Sequence, residues 1–554
     1  MASLTPLTGT LGQQRAAHLL RRAGFGGTFA EINSFASKTI AQAVTDLLTF
    51  PSQPSPPTDS NSGQTFHGDG RVDPGMNEVI SWFMYHAMDP TKPPTAYYKL
   101  VFFLHTCLTV NYNNISDNTM WYYHLQLLMQ YADKSYKTLT RKMSVDNAMG
   151  RYLDIRNNTK THPNENYARE LLELFTVGKG PQIGPGNYTN YTEDDIRAAA
   201  RVLTGWRQNH DYLNTSRQDP DTGFPIMYPD QNRHETSDKQ FSSAFQNTII
   251  TGQNTNAGMA TELDDLIDMI FNQDAVSEFI CRKLYRYFVH YNITAEVEND
   301  IIQGLALTFR TNNFEFEPVL TQLFNSEHFY DEDDTSVGDE TIGALIKNPI
   351  ELWFGAQRFF KSYVPPLSSD LHGVQNSWLN WNMQRKLEDL GMEVFAPPTV
   401  AGYDPMYQGP DFNRNWASTN TLPFRYDYIS ENVLNRRNRT PLPYGTFNIV
   451  DYVEDPTNVP DFPGNDPIGN PGPHQGARIA SHLVQCLTDY ILPVQLAQDR
   501  FDFFLNDLLL DNLSPINWMF EWDNYINTGN DGNIKPQLLK LYRGLIQSPE
   551  FQLG

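Results

Sequence analysis

Apolar residues recur every three or four positions through most of residues 76–206, and this spacing is typical of amphipathic helices. It predicts helices over residues 76–88, 94–108, 117–132, 135–142, 146–154, 163–176 and 192–205. Few segments of the chain alternate between apolar and polar residues as half-buried strands do. The predicted fold class is therefore mainly α, a multi-helix globular body with long irregular loops and few strands.

Breaks in the helical pattern divide the chain into predicted segments. Thr28 and Glu31 match a capping box at a helix start. Proline, serine and glycine without apolar periodicity are typical of linkers and loops. The predicted segments are an N-terminal helical cap (1–50), a Pro/Ser/Gly-rich mobile connection (51–75), a helical core (76–206), a long loop or short hairpins (207–257), a C-terminal helical region (258–437), a Pro/Gly-rich loop insertion (438–475) and terminal helices (476–554).

The charge balance excludes one class of partner. The chain has 41 basic and 64 acidic residues, a net charge of −23, whereas sequence-independent nucleic-acid binding needs a basic surface. No apolar run approaches the ~18 residues of a membrane span. Cysteines are few and far apart, so they predict no disulfide framework. We therefore expect no nucleic-acid partner and no membrane span.

The segment Thr161–Phe175 is the densest in ionisable and amide side chains. Thr161 is a plausible N-cap and Pro163 suits a first helical turn. Within such a helix the apolar residues form one stripe, and polar residues form two neighbouring lines. The first polar line holds His162, Glu165, Arg169 and Glu173, and the second holds Asn166 and Glu170.

Two interpretations of this helix remain open. In the structural one, Arg169 neutralises Glu165 and Glu173 in a salt-bridged face. In the catalytic one, His162 is a general acid or base oriented by Glu165 or Glu170. Arg169 then clamps a carboxylate, sulfate or phosphate.

Further candidates lie on this helix and outside it. We predict substrate contacts from Asn164, Asn166, Trp206 and Arg21. Trp206 is either a core anchor or a platform on which a sugar stacks, and Arg21 has the same ambiguity as Arg169. His105 and His234 are candidate ligands for a divalent metal, which would polarise a substrate oxygen or activate water.

Several motifs together carry a resemblance to a known family. They are residues 143–158, the run HPNENYARELLELFTVG from His162, residues 191–206, the opening Ala17–Gly26, Asn348–Glu351 and Phe395–Tyr403. In this combination the chain resembles the domain of unknown function 1800 family. Many members carry a Trp-His-Asn-His-Phe run where this chain has Leu104-His105-Thr106-Cys107-Leu108, so cysteine replaces one histidine. Tyr403 stands where the family usually has tryptophan.

The resemblance implies a setting rather than a reaction. Members are often predicted to be exported and are often encoded beside a protein of the domain of unknown function 1501 family, which resembles sulfatases and alkaline phosphatases. We therefore expect a periplasmic or extracellular bacterial protein, although residues 1–10 lack a signal-peptide pattern and a cytoplasmic location is the alternative.

Two functional hypotheses follow from these observations. The first is an enzyme whose His/Glu/Arg site acts on an anionic or sugar-like substrate, and it predicts a concave pocket that gathers residues distant in sequence. The second is a non-catalytic partner or assembly protein that docks the sulfatase- or phosphatase-like neighbour. It predicts that the polar residues pair with one another and are shut off from solvent.

Overall fold

The computed structural model describes residues 2–66, 75–89, 91–333, 340–433 and 447–554, and the chain is mainly helical, as predicted. The helices of the first half are α1 (Gln13–Ala23), α2 (Phe29–Ala36), α3 (Ile40–Leu48), α4 (Met76–Met88), α5 (Tyr97–Cys107), α6 (Asn118–Gln130), α7 (Tyr136–Met143), α8 (Asn147–Tyr152), α9 (Asn166–Glu170), α10 (Glu193–Val202), α11 (Asn256–Phe271) and α12 (Asp274–Phe288).

The second half continues with shorter helices and a few longer ones. They are α13 (Ala295–Val297), α14 (Gln303–Thr311), α15 (Phe316–Asn325), α16 (Pro349–Phe359), α17 (Arg385–Asp389), α18 (Asp404–Tyr407), α19 (Leu422–Val433), α20 (Ile449–Glu454), α21 (Ala480–Ile491), α22 (Gln498–Asp502), α23 (Pro515–Thr528) and α24 (Ile534–Ile546). Wider π-helical turns adjoin several of them, at Leu171–Phe175, Glu298–Ile302, Gly373–Gln384 and Phe503–Leu509.

The strands in the described residues are short and form antiparallel two-stranded pairs. They are β1 (Gln182–Gly184) with β2 (Asn187–Tyr188), β3 (Trp206–Arg207) with β4 (Tyr228–Pro229), and β5 (Lys239–Gln240) with β6 (Ile249–Ile250). Two of these pairs lie wholly or partly within residues 207–257, for which we predicted a long loop or short hairpins.

One continuous apolar core joins the first helix to the last. Thr28 and Glu31 form the predicted capping box at the start of α2. Asn348 and Glu351 form another at the start of α16, which fixes the direction of the Glu351 side chain. Helices α1, α5, α12 and α16 carry charged side chains that line two cavities, which are described below.

The predicted start of the helix at Pro163 is wrong. Helix α9 begins at Asn166, and Thr161 is not its cap. The backbone N–H of Asn164 donates to Oδ1 of Asn158 (2.9 Å), and that of Asn166 donates to Oδ1 of Asn164 (2.9 Å). These bonds hold the preceding residues in turns, because asparagine side chains compete with the helix for backbone N–H groups. As a result, His162 lies outside the helix.

Two of the segments predicted to be loops lie partly outside the described residues, at 67–74 and 438–446. The remaining part of the first segment packs against the body: Phe66 contacts Tyr122 with ring centroids 4.2 Å apart, and the carbonyl of Ser55 accepts a bond from Trp82 Nε1 (2.8 Å). In the described part of the chain, no helix is both long enough and apolar enough to cross a membrane.

Candidate ligand-binding site

The predicted His/Glu/Arg group on α9 is largely paired within itself or exposed. Arg169 donates to both carboxylate oxygens of Glu193 (2.7 and 2.9 Å) and to Glu165 (3.2 Å). His162 is exposed, and its Nδ1 contacts only the Thr161 hydroxyl, at 3.1 Å, among the described residues. Both terminal nitrogens of Arg169 are therefore already bound to carboxylates. The second carboxylate is Glu193, and not the expected Glu173.

Asn164 and Asn166 hold the turn in front of α9. Asn164 Nδ2 donates to Asp154 (3.3 Å), and Asn166 Nδ2 lies 3.5 Å from the carbonyl of Leu153. With the backbone bonds already described, these contacts give both residues a local structural role. Neither residue lines either of the cavities described below.

Glu170 is the one member of the predicted group with a strongly shifted pKa. Burial, and then the nearby Glu173 carboxylate, raise the pKa of Glu170 from 4.5 to about 7. A carboxyl group with this pKa can exchange a proton near neutral pH, as a general acid or base must. Its environment, however, is the side of α9 and not a cavity lined by His162.

We expect the Glu170→Gln substitution to flatten the pH dependence of stability. The raised pKa means that Glu170 stabilises the fold fully below about pH 4.5, and this contribution is lost as pH rises through about 7. The variant should therefore exceed wild type by about 1–2 kcal/mol at pH 8, after allowance for solvent screening of a partly exposed group. Urea denaturation at several pH values measures this difference. A difference that stays constant from pH 4 to pH 8 would contradict the assignment.

The two histidines predicted as metal ligands are fully buried and hydrogen-bonded. His105 Nε2 contacts the carbonyl of Val110 (2.9 Å) among aromatic rings. His234 uses both ring nitrogens, Nδ1 on the carbonyl of Thr204 (2.8 Å) and Nε2 on Glu262 (3.0 Å). Among the described residues, no group of three or more His, Cys, Asp or Glu side chains could hold a metal ion. The prediction of a divalent metal thus gains no support from these positions.

Trp206 lies in β3 and is only 3% exposed. Its backbone pairs with Pro229 of β4, and the ring is part of the continuous core. Of the two predicted roles, core anchor and sugar platform, this burial favours the anchor.

A cavity of about 320 Å³ lies between α5, α12, the start of α16 and residues 401–416. We call it the aromatic cavity, because its walls include Phe103, Phe279, Tyr287, Tyr407, Phe412 and Trp416. Four residues of α12, at positions 279, 283, 286 and 287, share one helical face and point the same way. The cavity gathers residues that are up to 313 positions apart, from Phe103 to Trp416.

Two cations of α12 enter the aromatic cavity without a carboxylate partner. Lys283 donates to the carbonyl of Leu174 (2.8 Å), and Arg286 lies over the ring of Phe412 at 4.6 Å. Neither forms an ion pair within the described residues, and Arg286 Nε has no hydrogen-bond partner there. Burial lowers the pKa of both side chains, so each would gain from a neighbouring negative charge.

Asn413 adds a neutral polar group to the same wall. The residue is 8% exposed, and neither Nδ2 nor Oδ1 finds a hydrogen-bond partner among the described residues. A buried amide without partners is unusual in a native protein and destabilises the fold by about 1–3 kcal/mol. Asn413 therefore presents a free donor and a free acceptor to whatever occupies the cavity.

Two carboxylates line the aromatic cavity, and both already have partners. Glu173 pairs with Lys179 and accepts from the Tyr191 hydroxyl (3.0 Å). Glu351 pairs with Lys99 (2.6 Å) and caps α16 through the N–H of Asn348 (2.9 Å). Glu351 also lines a second, smaller cavity of about 40 Å³. We call it the cation cavity, because Arg21, Arg22, Lys99 and Lys347 lie around it.

Of the predicted site residues, Arg21 therefore lies in a cavity, whereas those of α9 lie elsewhere. The sequence reasoning missed Lys283, Arg286, Asn413 and Lys347. Lys283 and Arg286 share one face of α12, whereas Asn413 and Lys347 come from other segments, and none of the four stands in a dense cluster of charged residues. Glu351 and Asn348 stood in the Asn348–Glu351 motif, and Ala401 stood in the Phe395–Tyr403 motif. These motifs were the available signal for the aromatic cavity.

Comparison with known proteins gives one match. The model of a family described as "Protein of unknown function (DUF1800)" matches residues 18–553. No curated protein and no solved structure matches the chain.

Proposed function

Since the chain belongs to the DUF1800 family of proteins of unknown function, we propose a function from its cavities: the protein binds an organic anion in the aromatic cavity. Binding of an organic anion would be the first step of the enzyme hypothesis, in which the protein acts on an anionic or sugar-like substrate. The observation that carries the proposal is that the Asn413 amide and Arg286 Nε line the same cavity and have no hydrogen-bond partner among the described residues.

The charges support an anionic ligand. Lys283 and Arg286 bring two positive charges into a partly enclosed space, and burial makes those charges costly. A ligand carboxylate, sulfate or phosphate would supply the missing counter-charge, and a guanidinium binds such groups through two parallel N–H bonds.

The walls support an organic ligand rather than a simple ion. Phe412, Trp416 and Tyr407 provide flat apolar faces within a volume of about 320 Å³. Sugar rings and aromatic rings both stack on such faces. The Asn413 amide would then bind a hydroxyl or carbonyl of the ligand, using both its donor and its acceptor.

Arg286→Gln should weaken the binding of an anionic aromatic probe by at least tenfold. The probe is anilinonaphthalenesulfonate, and its fluorescence titration into the purified chain measures the dissociation constant. A charged hydrogen bond of about 1.5–3 kcal/mol is lost in the variant, which corresponds to roughly 10–150-fold. The uncharged probe N-phenylnaphthylamine should bind wild type and variant with similar affinity, because it uses only the aromatic walls.

Arg282→Gln is the matched control for this experiment. Arg282 lies one turn earlier on α12, and its guanidinium is held by Glu278 and Glu298 and is absent from the cavity lining. We expect its sulfonate affinity to stay within about twofold of wild type. Equal losses in the two variants, or an equal loss of the neutral probe, would refute the assignment of Arg286 as the anion contact.

The alternative hypothesis of a partner or assembly protein stays a prediction, as do export and the proposed sulfatase- or phosphatase-like partner. That hypothesis expected polar residues paired with one another and shut off from solvent; Arg169 pairs with Glu165 and Glu193, but these side chains are partly exposed. The enzyme hypothesis expected a concave pocket that gathers distant residues, and the aromatic cavity is such a pocket. We therefore place the proposed binding function in the cavity and a structural function on α9.

A further inference from the structure

We propose that the cation cavity is a second, separate binding site, built for a small tetrahedral oxyanion such as phosphate or sulfate. The proposal goes beyond the organic-anion site and does not depend on it, although Glu351 lines both cavities. It rests on the number of cations, on the partners they have, and on the size of the cavity.

Five basic side chains from distant parts of the chain lie in or next to the cation cavity. Arg21 and Arg22 come from the last turn of α1, where the helix dipole favours positive charge. Lys99 comes from α5 and Lys347 from the residue before the cap of α16. Arg425 of α19 lies behind Lys347 and donates to its carbonyl (2.8 Å).

Among these five cations, a direct ion pair within the described residues is formed only by Lys99, with Glu351 at 2.6 Å. The others bind uncharged oxygens. Arg22 donates to the carbonyl of Thr341, Lys347 donates to that of Phe551 (2.7 Å), and Arg425 donates to the amide of Gln552 (3.0 Å). Arg21 reaches the carbonyl of Tyr490 at 3.4 Å.

Burial disfavours the charged forms of the two arginines. Burial, with the neighbouring Arg22 charge next, lowers the pKa of Arg21 to about 9. Burial also lowers the pKa of Arg22 to about 10, although Glu351 and Asp331 oppose the shift. The cluster thus has five basic side chains but, within the described residues, only these two carboxylates near Arg22, so positive charge is in excess. Gathering buried cations in this way is unfavourable unless an anion joins them.

Two guanidinium donors at the cation cavity are available to an anion. Arg21 Nε and Arg22 Nε are buried and have no hydrogen-bond partner among the described residues, and Arg22 is only 2% exposed. Both side chains line the cation cavity. Each guanidinium thus has an Nε–H donor without a described partner, and arginine N–H groups bind phosphate and sulfate strongly.

The size of the cavity selects a small ion. A volume of about 40 Å³ exceeds the ~10–15 Å³ that one water needs, and is far below the aromatic cavity. It suits a tetrahedral oxyanion with little or no organic group attached. The two cavities therefore divide anionic ligands by size.

Isothermal titration of the full chain, in chloride buffer at fixed ionic strength, with potassium phosphate and separately with potassium sulfate tests this inference. We expect saturable binding of one or both anions. The affinity should fall at least tenfold in Arg21→Gln and in Arg22→Gln. Arg15→Gln is the matched control, because Arg15 lies on the same helix but pairs with Glu332 away from the cavity. Its affinity should equal that of wild type.

Each outcome of this titration decides something. Saturable binding of phosphate alone, of sulfate alone or of both supports the site and identifies the preferred ion. Absence of saturable binding, or unchanged affinity in Arg21→Gln, overturns it. Arg21→Lys keeps the charge but loses the fork, so an intermediate affinity is expected even where Arg22→Gln does not fold. The inorganic ion should not displace anilinonaphthalenesulfonate, which separates this site from the aromatic cavity.

Discussion

Replacing Glu262 by alanine is expected to destabilise the protein by about 3–5 kcal/mol. Glu262 of α11 is fully buried and binds both Lys239 Nζ and His234 Nε2, the latter at 3.0 Å. Its loss leaves the buried amine of Lys239 without a carboxylate and one His234 nitrogen without an acceptor. The free energy of unfolding from urea denaturation measures the effect.

Two further variants separate this mechanism from a general loss of packing. Asp511→Asn breaks the exposed pair between Lys540 and Asp511, and it should cost less than about 1 kcal/mol. The double variant Glu262→Leu/Lys239→Met removes both buried charges, and it should be more stable than Glu262→Ala. If the double variant were less stable than Glu262→Ala, the unpaired charge of Lys239 would not be the cause of the destabilisation in Glu262→Ala.

Glu351→Ala should be the second strongly destabilising change, at about 4 kcal/mol. It removes the carboxylate that pairs with the amine of Lys99, a side chain that is only 2% exposed. It also removes the capping interaction at the start of α16. Glu351→Gln keeps an oxygen for the cap and removes only the charge, so it should cost less. Phosphate at saturating concentration should stabilise Glu351→Gln more than wild type, because the anion then meets no carboxylate. Urea denaturation with and without phosphate measures both effects.

Glu31→Gln is the matched control for this coupling. Glu31 also forms a capping box, at α2, and also pairs with a buried cation, Arg358. Its loss should destabilise the protein comparably, but phosphate should add no more stability than it adds to wild type. If phosphate raised the free energy of unfolding equally in the Glu31 and Glu351 variants, it would stabilise the protein by a non-specific salt effect and not by binding in the cation cavity.

Local pattern was enough to predict the helices but not where each one begins. The 3–4 spacing placed helices at each predicted position in residues 76–206, because that spacing reports which face is buried. The start at Pro163 was wrong, since asparagine side chains at 158 and 164 bind backbone N–H groups and delay the helix to Asn166. Such competition depends on geometry between turns, which a helical pattern does not contain.

The candidate site was less accessible to sequence reasoning than the fold. Density of charge drew attention to α9, where Arg169 is neutralised by Glu193, a residue 24 positions away on another helix. The cavities instead depend on isolated residues such as Arg286, Asn413 and Lys347. Among the described residues, Arg286 Nε and the Asn413 amide have no hydrogen-bond partner, and Lys347 binds a carbonyl but no carboxylate. These properties exist only once the chain is folded. Arg21 was predicted because it stands in a motif beside a second arginine.

The cation cavity is lined by residues from distant parts of the chain, so it can be completed only late in protein synthesis. Arg21 leaves the ribosome first, whereas Phe551, whose carbonyl holds Lys347, follows 530 residues later. At about 5–20 residues per second this interval lasts roughly 25–100 s. Until Phe551 has been synthesised, its carbonyl cannot accept the bond from Lys347. Closing five cations together is then a late step, so we expect the yield of native protein during synthesis to rise with the oxyanion concentration of its surroundings.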